Sequence, residues 1–404
     1  MQVGFGYLMT FLQHYGLGAV GFTMLITTIV VQWSIVVEGI FLVLSDTDAH
    51  SFPMSISFLE LIDGNFAAAT VLISFGALIG KVRPRLLRRY PILPTTLVCG
   101  VLTPCPSTRV TQVGPTQVLT LALLEVVVYA ANKRFLLIEL IGIADIGGTV
   151  VIHCFGAYFG LAAAWVLGVP KDDAGDSDSS SISDIFSLIG TVFLWLYWPS
   201  FVTAMPGDSA QETTALLNTV FALLASTVTT FGISAWMERS IRPVDIQNAT
   251  LAGGVAVGAT ANFALSPTGA LGVGALAGLI SALGFIKVQP MLEGKGLHDS
   301  CGVHNLHGMP SVLGALISFV FLLINDDCKL NGSCQEEGQA VMQLVALGVT
   351  VAVAVLTGAL TGAVLKAIGQ PERKFVDQSA WSASPPPTGP ATAPNSPPKI
   401  DAQA

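Results

Sequence analysis

LGAVGFTMLITTIVVQWSIVVEGIFLVL, residues 17–44, runs for 28 residues with one charged side chain, Glu38. A helix of about 20 apolar residues crosses the hydrocarbon core of a bilayer. Residues 247–286 repeat the pattern with no charge at all. In lipid, backbone polar groups must pair within their own segment, so such stretches are helices. A membrane barrel would alternate over segments of about 10 residues, and no such alternation is visible.

The rest of the chain agrees. Of 404 residues, 52% are hydrophobic and 11% charged, against about 25% charged in soluble proteins. A net charge of -8 argues against a nucleic-acid partner, which needs a basic face. The six Cys include no CxxC pair, so neither a disulfide scaffold nor a zinc array is expected. The predicted fold is all-α and polytopic, with about eleven spans. They lie near 3–13, 17–44, 65–81, 116–132, 135–168, 184–204, 212–236, 247–265, 269–288, 302–324 and 339–367. The fifth begins near Gly147, with 135–144 as its approach.

Lys and Arg favour cytoplasmic loops. With the C-terminus inside, fifteen basic residues fall on the cytoplasmic side and only Lys133, Arg134 and Lys329 outside. An odd span count then places the N-terminus outside without a leader, and the first span is half the needed length. Further N-terminal sequence is therefore expected. Residues 83–113, basic and rich in Pro and Thr, look foreign to the pattern. The tail 376–404, with SPPPTGPATAPNSPPK, is too poor in apolar residues to build a core and is predicted to be disordered. Asn331-Gly332-Ser333 is a glycosylation sequon on an outside loop, flanked by Cys328 and Cys334 as a disulfide or as two free thiols.

Ionisable residues inside spans are costly and are candidates for function. Asp145 and His153 sit in ADIGGTVVIHCFGAYFG, and Asp299 and His307 in HDSCGVHNLHGMP. In both, Asp precedes His by eight residues, and the two pairs are 154 residues apart. An inverted repeat leaves such a duplicated motif and predicts that the two His meet near the midplane. A His pair kept neutral by burial presents a fixed donor and acceptor in an apolar lining. Such a lining suits a small neutral solute and rejects bare cations. The plainer alternative has each His bonding a nearby carbonyl. Zinc held by His304, His307, Asp299 and Cys301 is a competing reading, less favoured than a metal-free site. Asp145 and Asp299 are better placed to accept backbone N–H groups at helix starts. Neither a nucleophile triad nor a nucleotide loop is present, so an enzyme is not expected and no cofactor is called for. Small residues through 253–286 fit close helix packing.

VGFGYLMTFLQHYG (3–16), VLISFGALIGKV (71–82), IHCFGAYFG (152–160), IGTVFLWLYWPSF (189–201), IQNATLAGGVAVG (246–258) and DSCGVHNLHGMP (299–310) resemble Rh-glycoprotein-type ammonium channels of the ammonium transporter superfamily. The resemblance implies a plasma-membrane homotrimer, surrounded by lipid, with one pore per subunit. Each subunit would hold two inverted five-helix repeats plus a last long helix. It implies ammonia or ammonium as solute, with methylamine or CO2 as further candidates, and a non-conducting scaffold as the alternative. His153 and His307 would be the pore histidines, and Phe66 and Phe201 the outer gate. Asp184 and Glu293, with His304, would line the cytoplasmic vestibule. The chain departs from the pattern in five places. A span normally precedes VGFG, and 83–113 is an addition explained by read-through of an intron or, as the alternative, by a genuine cytoplasmic insertion. Lys133 and Arg134 stand where a vestibule Glu is expected, Asn65 replaces an Asp before the outer Phe, and Ser311 replaces a Gly after the second His motif. The membrane portion is thus predicted as 1–375.

Overall fold

The computed structural model describes residues 1–45, 56–80, 113–168, 179–205, 209–325, 338–368, 376–377 and 381–382. The 83–113 addition (Val113 apart), the Asn331 sequon, Cys328, Cys334 and most of the tail lie outside the described residues.

Every regular element among the described residues is helical. In chain order these are α1 (Gln2–Leu8), α2 (Gly16–Ser45), α3 (Phe58–Leu78), α4 (Pro115–Ala131), α5 (Phe155–Leu167), α6 (Ser181–Val202) and α7 (Ser209–Glu238). There follow α8 (Pro243–Ala249), α9 (Ala252–Val257), α10 (Pro267–Leu283), α11 (Gln289–Gly294), α12 (Met309–Ile324) and α13 (Gln339–Ile368). Their starts follow from local chemistry. Ser57 Oγ accepts the Leu59 N–H at 3.1 Å while Glu60 takes the Ser57 N–H at 2.7 Å, a capping box. Ser266 Oγ accepts the Gly269 N–H at 3.1 Å, with Pro267 as the first helical residue.

Among the described residues, eight helical stretches are long and apolar enough to cross a membrane. Three of the eleven expected spans are not among these eight. Residues 3–13 hold the seven-residue α1 and a 3₁₀ turn, 247–265 is broken between α8 and α9, and α4 has 17 residues before its continuation through 132–141. One boundary also differs. Residues 135–144 are expected from sequence to lead into the next span, but 132–141 prolong α4 as wide i→i+5 turns. The break comes at Gly142 and Gly148, whose φ of +66° and +69° stop a right-handed helix.

Apolar side chains face outward. Met24, Val228 and Trp236 are 71–73% exposed, the reverse of a water-soluble surface. The interior is made of small and hydroxylated residues. Ser226 Oγ bonds the Ala249 carbonyl at 2.8 Å, and Thr191 Oγ1 bonds that of Gln247 at 2.8 Å. A Cβ on Gly278 would stand 2.6 Å from the Ser226 carbonyl oxygen. Close backbone approach supplies the packing that lipid cannot drive through apolar burial.

Near the chain's end, Asp377 returns to the start of α2. Its carboxylate accepts the N–H of Leu17 at 2.7 Å and of Gly18 at 2.8 Å, and Trp381 packs edge-on against Phe22. A negative charge is favourable at that helix terminus.

Candidate functional site

The two Asp-to-His segments share one local geometry. Asp145 accepts the N–H groups of Thr149 (2.7 Å), Val150 (2.7 Å) and Val151 (2.9 Å). Asp299 accepts those of Val303 (3.0 Å) and His304 (2.8 Å). Three residues after each Asp stands a glycine with φ +69°, Gly148 and Gly302. Each glycine turns the chain so that the Asp side chain meets the first free amides of the following helix. Wide turns follow at Thr149–Cys154 and His304–Gly308, and each carries its histidine.

His153 and His307 then meet. Their Nδ1 atoms are 3.2 Å apart, and the rings lie 13° from parallel with centroids 5.1 Å apart. His153 is fully buried and His307 nearly so. Between two Nδ1 atoms at this distance there is room for one proton, so one ring donates and the other accepts. The opposite nitrogens must then differ: one Nε2 carries a proton and the other a lone pair. His153 Nε2 is buried with no partner in the protein. It presents polarity to an otherwise apolar surrounding.

Aromatic rings enclose the pair. Trp198 stacks on His153 at 5.5 Å and 19°, and Phe5 on His307 at 6.2 Å and 27°. Phe201, one turn after Trp198, lies 6.2 Å from His153 and meets Phe66 edge-on at 4.9 Å. Phe66 and Phe201 come from α3 and α6, and the structure brings them together beside the histidines.

The remaining candidates lie apart from this stack. Asp184 Oδ1 accepts from Gln247 Nε2 at 3.0 Å and its Oδ2 from Ser179 at 3.2 Å. Glu293 is exposed at the end of α11, 3.5 Å from Gln289 Nε2. His304 is half-buried, with its ring edge-on to Tyr158 at 6.0 Å. Among the described residues, no three His, Cys, Asp or Glu side chains converge as a metal site would require.

Sequence reasoning missed three features. Phe5 and Trp198 lie in quoted motifs, but only their burial against imidazoles singles them out. Lys133, noted above for its charge alone, bonds Glu38 at 2.7 Å and Asp63 at 3.0 Å and lies 5.9 Å from the Tyr129 ring centre. It ties α2 to α3 one turn ahead of Phe66. Glu125, with no exposed surface, was passed over as one charge in an apolar helix.

The family model for the Ammonium Transporter Family matches residues 1–380. The chain is 44% identical over 321 residues to the ammonium transporter Rh type B of Sus scrofa, covering 78% of this chain and 62% of that one. It is 40% identical over 371 residues to the Papio hamadryas protein of the same name, covering 86% and 72%. The chain thus spans a little under two thirds of the first relative's length. Among solved structures it is similar to Rh50 of Nitrosomonas europaea, described with the mechanism of conduction by the Rhesus family of channels. The TM-score is 0.74 at 33% identity, covering 95% of this chain and 89% of that one. A sensor Amt protein shares the fold, with a TM-score of 0.69 at 18% identity over 91% and 89% of the two chains.

Proposed function

The chain belongs to the Ammonium Transporter Family, and from that premise we propose that it is a membrane channel for ammonia. Ammonium is recruited at a vestibule and gives up its proton to water there, and neutral NH3 passes the His153–His307 pair. The observation that carries this reading is the 3.2 Å contact between the two Nδ1 atoms inside an aromatic enclosure. One Nε2 donates and the other accepts, which matches a solute that can do both. A bare cation would lose its hydration among these rings and gain no counter-charge. Phe66 and Phe201 serve as the outer gate: their rings part for a small solute and exclude hydrated ions. Asp184, Glu293 and His304 serve the inner vestibule, and Asp145 and Asp299 hold the two histidine segments in place. The assembly is a homotrimer in the plasma membrane with the C-terminus in the cytoplasm.

Stopped-flow ammonia uptake into proteoliposomes tests the proposal. Wild type should exceed protein-free vesicles, and the chain carrying both His153→Ala and His307→Ala should lose flux or its selectivity against cations. Wild-type flux equal to that of bare vesicles would instead favour a non-conducting scaffold.

A further inference from the structure

Glu125 lies midway along α4 with no exposed surface. Its Oε1 is 2.6 Å from Ser74 Oγ on α3, and the same Oγ is 2.7 Å from the Gly156 carbonyl oxygen on α5. Ser74 is equally buried, and Glu125 Oε2 has no partner. A hydroxyl carries one proton, while a carbonyl and a carboxylate carry none. Two short bonds on one hydroxyl, both to such oxygens, therefore lack a proton. Gly156 has none to give, so the second proton belongs to Glu125. The arrangement that balances has the Glu125 O–H donating to Ser74 Oγ and the Ser74 O–H donating to Gly156. A bare carboxylate at this place would be a buried charge with a single partner, which is far more costly than a neutral acid.

The relay ends three residues beyond His153. At this level α3 and α5 are in backbone contact. A Cβ on Gly156 would stand 2.6 Å from the Thr70 carbonyl oxygen, and one on Gly160 2.6 Å from Ser74 Cα. Phe66 lies on the same α3, two turns before Ser74.

We propose that Glu125 is a positioning residue: as a neutral acid it locks α4, α3 and α5 together through Ser74, and so sets His153 relative to Phe66. This rests on the reading of those two residues as pore and gate.

The test uses the full chain in proteoliposomes, with Glu125→Gln, Glu125→Leu and Ser74→Ala. Gln keeps an uncharged donor, whereas Leu keeps only the bulk. The infrared difference between wild type and Glu125→Gln should show the carbonyl band of a protonated carboxylic acid, unchanged across neutral pH. Glu125→Gln should keep the wild-type ratio of ammonia to methylamine permeability. Glu125→Leu and Ser74→Ala should shift it by about threefold, the scale of one net hydrogen bond. A carboxylate band in its place, or a wild-type ratio in both Glu125→Leu and Ser74→Ala, overturns the proposal. The pore reading fails separately, by wild-type conduction in the double His→Ala chain, and that outcome leaves the infrared band untouched.

Discussion

A Cβ placed on Gly254 would stand 2.5 Å from Trp198 Nε1. The glycine in α9 thus makes the room in which the Trp198 indole lies flat against His153. Gly254→Ala should tilt or displace the indole and loosen the histidine pair. The expected cost is about 1–3 kcal/mol, as for other overpacked interiors, with reduced ammonia flux. Adding Trp198→Phe, a smaller ring, should recover part of the stability. Thermal unfolding in detergent and stopped-flow uptake check both.

Both capping aspartates hold helix amides, three at Asp145 and at least two at Asp299. An Asn at either place has one accepting oxygen and turns an N–H donor toward other donors. Asp145→Asn and Asp299→Asn should each destabilise by roughly 1–3 kcal/mol. Chemical denaturation of each variant measures the cost, and a wild-type midpoint in either would contradict the capping role.

Lys133 separates two carboxylates that otherwise repel. Lys133→Met should cost about 1–3 kcal/mol, less than for a fully buried triad because Asp63 is one-third exposed. Combining it with Glu38→Gln and Asp63→Asn should restore most of the loss. Failure of the triple variant to recover would mean that lysine packing matters more than its charge.

Burial, opposed by the amides of Gly18 and Leu17, pushes the Asp377 carboxyl above its ordinary value. The docked tail therefore holds a proton more tightly than a released one. Docking gains as pH falls through the carboxylate range and weakens as pH rises above it. Quenching of Trp381 emission by a soluble quencher, taken as the difference from Trp381→Phe, should not rise on mild acidification. Greater quenching at lower pH would show that the two amide bonds outweigh burial.

Much of the site was legible along the chain because it is built locally. The Asp, the left-handed glycine and the His lie within nine residues, and one turn geometry fixes all three. The same motif recurring 154 residues on pointed to the partner histidine. Glu125, Ser74 and Gly156 are separated by 51 and 82 residues, and no spacing rule links them. Lys133 shows the limit from the other side: its sign was readable, but its two carboxylate partners were not.

That the chain is a bundle of membrane helices, with two histidines prepared alike, is written in its residue order. Segment hydropathy and short-range capping are properties of neighbouring residues. Contact of the rings through Nδ1, their enclosure by Trp198 and Phe5, and the pairing of the carboxyls emerge only once the helices are packed. Those outcomes depend on which helix faces approach closely. That is set by small residues at crossings of distant segments, where a single added carbon would push the backbones apart.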